Sequence, residues 1–303
     1  MKIIVTGGAG FIGSHVVDKY IELGHEVAVI DDLSTGSAQN VNKNAKFYKE
    51  DITNLEGVEK IFKEFRPEIV NHHAALAEVA KSMRDPRKTL DVNVLGTVNI
   101  ILAGGGLGTK KFIFSSTGGA IYGNPESLPA DETCNQNPLS PYGLSKLLAE
   151  KTIEFYSNMY GFKYTIFRYS NVYGPRQNPK GEAGVIAIFS DLIKSGRAPT
   201  IFGDGSKTRD YVYVSDIVRA NELALETKRN EIMNLGRGIE VSDKEIFDEI
   251  AKALKFESKP IYEDFRSGEV KRISLDASKA KKILGWEPIF NLTEGIKATL
   301  ENA

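Results

Sequence analysis

The chain has 303 residues, with 39 basic and 40 acidic side chains, four histidines, one cysteine and 41% hydrophobic residues. A net charge of −1 gives no general attraction to nucleic acid or anionic lipid. One cysteine cannot close an internal disulfide, and the length allows one large domain or two smaller ones. The apolar run after Met1-Lys2 is too short for a secretory signal, and no run approaches the roughly 18 residues needed to cross a bilayer. The expectation is a soluble, cytoplasmic globular protein without membrane or nucleic-acid partners.

In chain order, apolar runs at 3–5, 27–30, 46–48, 69–71, 112–114 and 164–167 predict strands. Helical patterns near 12–23, 54–65, 87–103 and 141–160 separate them, and Gly104-Gly105-Gly106 reads as a helix stop. This alternation predicts an α/β fold, a Rossmann-type doubly wound parallel sheet, over residues 1–175. A turn-rich loop from Gly174 to Gly181 then changes the texture. Helices near 184–195, 215–226, 242–255, 276–284 and 292–301 suggest a smaller mixed α/β domain over 176–303. Part of it, about 212–240, is expected to return to the first domain.

The first strand runs through Thr6-Gly7-Gly8-Ala9-Gly10-Phe11-Ile12-Gly13 directly into a helix. Glycines at this spacing allow a tight turn and close backbone approach to a pyrophosphate, which the helix N-terminus favours. Asp31 follows the second strand, 18 residues past Gly13. A carboxylate there accepts ribose hydroxyls and repels a 2′-phosphate, and no arginine stands in Asp31-Asp32-Leu33-Ser34-Thr35-Gly36-Ser37. NAD is therefore expected over NADP.

Tyr142 and Lys146 are four residues apart, so one helical turn brings them to the same face. A nearby ammonium favours the phenolate, which makes Tyr142 a candidate general acid/base. Thr117, just past the strand 112–114, offers a hydroxyl at the end of a parallel strand, where such sheets bind ligands. Ser115 and Ser116 read as turn formers. His72 and His73 lack companions at ligand spacing, so no metal site is expected, and Cys134 is assigned no role. Trp286 is expected to pack beside Leu284.

These motifs resemble the extended short-chain dehydrogenase/reductase family, specifically nucleotide-sugar 4-epimerases of the UDP-glucose 4-epimerase type, over nearly the whole chain. Thr6 to Gly13 resembles the cofactor loop, so Gly7, Gly10, Phe11, Ile12 and Gly13 are expected to contact the dinucleotide, with Asp31 and Asp32. Asp51 and Ile52 resemble the adenine contact, and Ala74 and Ala75 the segment after the fourth strand. Thr117, Tyr142 and Lys146 match the catalytic hydroxyl, tyrosine and lysine, and Tyr169 is placed beside the cofactor. Asn171 matches the residue meeting the substrate diphosphate. Val185, Thr200, Phe202, Arg209 and Tyr211 fall in the nucleotide-binding segments, Arg209 on phosphate. Arg266 and Glu269 match the second arginine and the acid that reads the uridine ribose.

The resemblance implies an isomerase with bound NAD. Tyr142 would take the proton of the sugar 4-hydroxyl while hydride leaves C4, the 4-keto sugar would turn over, and hydride would return to its other face. The family's 4,6-dehydratases carry an Asp-Glu pair after the threonine, where this chain has Gly118 and Gly119, and its decarboxylases carry a glutamate in that loop, also absent. A reductase or simple dehydrogenase shares the triad and stays open; a sensor without chemistry would be expected to lack Tyr142 or Lys146. Ile273, seven residues past Arg266, matches the position that limits sugar bulk. Its intermediate size implies UDP-glucose and UDP-galactose as the main pair, with N-acetylated sugars slower. The helices near 87–103 and 141–160 form a homodimer interface in relatives, to which Tyr156, Met159 and Tyr160 could contribute.

Overall fold

A seven-stranded sheet, parallel throughout, organises the chain in a computed structural model that describes residues 1–180, 184–264 and 270–302. The first half alternates strand and helix: β1 (Lys2–Thr6), α1 (Phe11–Glu22), β2 (Glu26–Ile30), β3 (Lys46–Tyr48), α2 (Leu55–Phe65) and β4 (Ile69–His72). Two short helices, α3 (Val79–Arg84) and α4 (Pro86–Leu90), lead through a π-helical turn at Asp91–Leu95 into α5 (Gly96–Gly105). Then come β5 (Lys111–Thr117), α6 (Gly118–Tyr122), α7 (Pro141–Tyr160), β6 (Lys163–Tyr169) and β7 (Asn171–Tyr173). The remainder is α8 (Val185–Lys194), β8 (Thr200–Phe202), β9 (Thr208–Arg209), β10 (Tyr211–Tyr213), α9 (Val214–Ala224), β11 (Glu231–Leu235), β12 (Val241–Ser242), α10 (Asp243–Leu254), β13 (Ile261–Glu263), α11 (Ser278–Leu284) and α12 (Leu292–Glu301).

The strand order is β3-β2-β1-β4-β5-β6-β11. Because side chains alternate along a strand, Ile3 and Val5 join one core with Val16, Tyr20, Ile217 and Trp286. Ile4 faces the other way, into a core with Phe62, Ile100, Ala149 and Ile153. Helices α1, α9 and α11 thus cover one face and α2, α5 and α7 the other. A third apolar cluster joins Phe189 of α8, Ile246 and Ile250 of α10 and Ile296 of α12 to Tyr211 and Tyr213.

Three local expectations change, and that for Trp286 holds. The region 87–103 is not one helix, because the π turn interrupts it. Gly104 and Gly105 continue α5 instead of stopping it, since Gly104 packs beside Phe62 and Thr109 and Gly105 beside Tyr160. Ser115 and Ser116 lie within β5, not in a turn, because their backbones pair with Phe167 and Arg168 of β6. Trp286 is fully buried in the cluster on which Leu284 packs, as expected, with its indole N–H donating to the Asp216 carbonyl at 2.7 Å.

Candidate active site

The strand order reverses between β1 and β4, and a parallel sheet leaves a crevice where that happens. A cleft of about 1620 Å³ opens there, over the carboxyl ends of the central strands. Its floor is the turn from β1 to α1. Gly7 has φ +69°, and a Cβ on it would sit 2.6 Å from the Ala74 nitrogen. A Cβ on Gly13 would lie 2.3 Å from the Gly7 carbonyl oxygen. Only glycines let this turn nest against the loop after β4, where it presents the first N–H groups of α1, which have no intrahelical acceptor.

Asp31 closes β2 and is 7% exposed. Its Oδ2 accepts from the Ala9 N–H at 3.0 Å and its Oδ1 from the Leu33 N–H at 2.9 Å. Burial raises its pKa above the ordinary carboxylate value, and these backbone N–H groups work against that rise. A carboxylate has about four acceptor positions, so two remain for hydroxyls of a ligand. Asp32 accepts from the Ser34 N–H and hydroxyl at 2.8 and 2.6 Å. Asp51 accepts from the Thr53 N–H at 2.8 Å, while Ile52 is buried and its carbonyl accepts from Asn99 at 3.0 Å.

On the opposite wall, Thr117 ends β5 and caps α6, its hydroxyl accepting from the Ala120 N–H at 3.4 Å. The start of α7 presses on α6 so closely that a Cβ on Gly143 would lie 2.2 Å from the Ala120 carbonyl oxygen. Tyr142 and Thr117 consequently line the same wall. Lys146 is 3% exposed, its ammonium donating to the Ser115 carbonyl at 2.7 Å and lying 4.7 Å from the Phe114 ring centre.

Two histidines stand behind this wall. His72 is bonded on both ring nitrogens, to the Thr6 hydroxyl at 2.6 Å and the Thr97 hydroxyl at 2.9 Å. His73 stacks on Tyr169 with ring centres 6.3 Å apart. Burial, reinforced by the Lys146 charge, lowers both pKa values, that of His73 to about 3. Both rings are therefore neutral at neutral pH and supply no proton there. Burial raises the Tyr169 phenol, which accepts from Asn221 at 3.0 Å.

Asn171, Arg209 and Ile273 also line the cleft. Arg209 donates to the Thr208 carbonyl at 2.8 Å. Ile273 is 3% exposed, and a Cβ on Gly119 would lie 3.6 Å from it, an ordinary contact. Gly118 has no such room, since its Cβ would come within 2.5 Å of the Leu275 side chain. Beneath this region the fully buried Asp210 accepts from the N–H groups of Arg237, Gly238 and Leu275 at 3.0–3.1 Å. Burial pushes its pKa up to about 6.

One cleft thus brings together Gly7, Gly10, Phe11, Ile12, Gly13, Asp31, Asp32, Asp51, Ile52, Ala74, Ala75, Thr117, Tyr142, Lys146, Tyr169, Asn171, Arg209 and Ile273. Val185, Thr200, Phe202 and Tyr211 are not among its lining residues. Val185 opens α8, Thr200 and Phe202 pair with β13, and the Tyr211 ring is buried in the third apolar cluster. Arg266 and Glu269 lie outside the described residues. Among the described residues, no three His, Cys, Asp or Glu side chains are grouped to hold a metal, and no helix is long and apolar enough to cross a membrane.

Motif reading missed Asn93, in the π turn. Its side chain donates to the Ser145 hydroxyl and the Leu76 carbonyl, both at 2.9 Å, and accepts from the Leu76 N–H at 2.7 Å. It ties α7 to the loop after β4, and an asparagine inside an apolar helical pattern was the available signal. Also missed was a buried network of Ser116, Glu150, Arg168, Tyr122 and Asn234.

Residues 3–236 match the NAD dependent epimerase/dehydratase family. The UDP-glucose 4-epimerase of Mycolicibacterium smegmatis is 41% identical, over 99% of this chain and 98% of its own. The structure of a UDP-glucose 4-epimerase from Thermotoga maritima with UDP-glucose aligns with a TM-score of 0.98 at 49% identity, covering 100% of this chain and 98% of that one. A Thermus thermophilus UDP-glucose 4-epimerase complex with NAD aligns with a TM-score of 0.95 at 42% identity, with the same coverage.

Proposed function

Because the chain belongs to the NAD dependent epimerase/dehydratase family, we propose that Thr117, Tyr142 and Lys146 carry out NAD-dependent epimerisation at C4 of a nucleotide-linked hexose. The observation that carries this reading is their position in one cleft with the glycine cradle and Asp31. The cradle fits the dinucleotide: side chains at Gly7 and Gly13 would clash with backbone there, and Asp31 keeps free acceptor capacity. Gly7 to Gly13 would hold the pyrophosphate, Asp31 the adenosine ribose, and Ile52 with Asp51 the adenine edge. When bound, NAD supplies a reversible hydride acceptor for C4.

Tyr142 takes the proton of the sugar 4-hydroxyl and returns it after the sugar turns over. Lys146 favours the phenolate that this requires, and Thr117 steadies the same sugar oxygen. Asn171, Arg209 and Arg266 hold the diphosphate, the arginines through forked guanidinium contacts, and Glu269 reads the uridine ribose. A firm grip on the nucleotide with a looser one on the hexose lets the keto sugar present its other face. The crowding at Gly118 leaves no place for the side chain a dehydratase carries there.

UDP-glucose and UDP-galactose are the main pair, with Ile273 slowing N-acetylated sugars. Residues 1–175 serve the dinucleotide and 176–303 the nucleotide sugar, with the stretch near 212–240 returning to the sheet. The protein works in the cytoplasm as a homodimer, and exposed Leu144, Leu148, Phe155 and Met159 along α7 support a helical interface. Incubating the protein with UDP-galactose and separating the products tests the reading. UDP-glucose is expected from wild type, while Tyr142→Phe should lose about 10²-fold or more in turnover yet retain NAD. Retained turnover in that variant would remove Tyr142 from its role, and absence of UDP-glucose with wild type would overturn the activity.

A further inference from the structure

Tyr142, Lys146 and Glu150 follow one another at four-residue spacing on one face of α7. The first two belong to the proposed chemistry; the third is wholly buried. Glu150 meets Arg168 of β6 through two parallel bonds, Nε to Oε1 at 3.0 Å and Nη2 to Oε2 at 2.7 Å. The Ser116 hydroxyl also donates to Oε1, at 2.5 Å. Ser116 directly precedes Thr117, and Arg168 directly precedes Tyr169. The second amino group of Arg168 donates to the Tyr122 hydroxyl at 2.9 Å, and Tyr122 donates to Asn234 of β11 at 2.8 Å. Burial disfavours the Arg168 charge, but its bonds and proximity to Glu150 outweigh that and raise its pKa.

An ion pair sealed from water is weak as a source of stability, since desolvation consumes most of the attraction. Its geometry is nevertheless restrictive, because a guanidinium fork fits a carboxylate in few orientations. Here it locks three elements, each carrying a cleft residue at its end: β5 with Thr117, β6 with Tyr169, and α7 with Tyr142 and Lys146. We infer that Glu150, Arg168 and Ser116 are positioning residues of the reaction, fixing the phenol of Tyr142 against the hydroxyl of Thr117. None of the three lies in the reacting layer, with only Ser116 reaching the cleft lining. The inference rests on the epimerase reading and adds that the spacing of the catalytic groups is set from beneath.

Ser116→Ala tests this most cleanly, since it removes one bond and leaves the ion pair intact. Turnover is measured per site, with sites counted as tightly bound dinucleotide, beside the KM for UDP-galactose and the melting temperature. A small displacement of reacting groups is costly, so kcat per site is expected to fall about ten-fold, with KM changed less than about two-fold. Arg168→Lys keeps the charge but loses the fork; it should show the same split, with a larger fall, about 30-fold. Glu150→Gln removes the charge partner of the guanidinium and is the variant most exposed to a folding defect; Ser116→Ala decides in that case. Variants that melt earlier yet keep wild-type kcat per site would overturn the inference and leave a structural network. Wild type without turnover would instead overturn the epimerase reading, and this inference with it.

Discussion

The two walls of the cleft rest on buried carboxylates held in opposite ways. Beneath Thr117 and Tyr142, Glu150 is matched by the full charge of Arg168. Beneath Arg209 and Ile273, Asp210 is held by backbone N–H groups, of Arg237, Gly238 and Leu275, with the Arg237 charge a smaller contribution. The pKa of Asp210 rises to about 6 because burial outweighs those donors. An ion pair fixes orientation between side chains of distant elements; an acceptor of backbone N–H groups gathers loops. The first suits a wall where the proposed proton transfer needs a set distance, and the second a wall assembled from short ribbons and turns.

Arg168→Leu offers the largest effect by which to break this contrast. It leaves Glu150 buried and unpaired, and denaturant titration should show a loss of about 3–5 kcal/mol. Asp210→Ala orphans the N–H groups of the partly exposed Arg237 and Gly238, where water substitutes, and that of the buried Leu275, and should cost about 1–3 kcal/mol. Equal losses would erase the distinction.

The pH dependence sharpens it. A carboxyl whose folded pKa lies above its unfolded value binds protons more readily in the folded state. Between about pH 4 and 6, stability contributed by Asp210 therefore falls as pH rises, and above that window the penalty is constant. Relative to Asp210→Asn, wild type should lose up to about 3 kcal/mol across the window, measured by urea unfolding at several pH values. A flat difference would show that Asp210 ionises normally.

Asp31 provides a third buried carboxylate, held by backbone like Asp210 but open to the cleft. Asp31→Asn should weaken dinucleotide binding by about 1.5–3 kcal/mol, read by fluorescence titration. For wild type, binding should weaken as pH falls through the raised pKa of Asp31, starting above the ordinary carboxylate range. Affinity indifferent to pH would argue that a neutral acid serves as well. The smallest effect lies at the seam between the walls. Gly118→Ala should cost about 1–3 kcal/mol in thermal unfolding, through overpacking on Leu275. Gly119→Ala should be neutral or stabilising by up to about 1 kcal/mol, because the added methyl has room in a helix.

The sheet and the glycine turn beside Asp31 were legible because their signals are local. Glycine spacing, an acid after the second strand and a tyrosine one helical turn from a lysine each lie within a few residues. What escaped depends on contacts distant in sequence. β11 was not read as a strand because Glu231-Ile232-Met233-Asn234-Leu235 breaks its apolar run with Asn234, which is buried to serve Tyr122 and Ala130. The pairing of Glu150 with Arg168 has no local signal, since only the fold brings β6 beneath α7. Ser116 read as a turn former because nothing nearby reveals a partner 34 residues on. Thr200, Phe202, Val185 and Tyr211 came from family resemblance, and the cleft lining does not include them.

The π turn at Asp91–Leu95 sets a helical phase. Asn93 inside it faces the loop after β4 and α7, while Gly96, the first residue beyond it, packs against Ile52. Deleting one residue from this turn would rotate everything past it by about 100°. The helix could then keep Asn93 in place or Gly96 in place, but not both. The wider turn thus acts as a vernier between the two ends of the cleft, letting one rod satisfy two neighbours that a regular helix would put out of step.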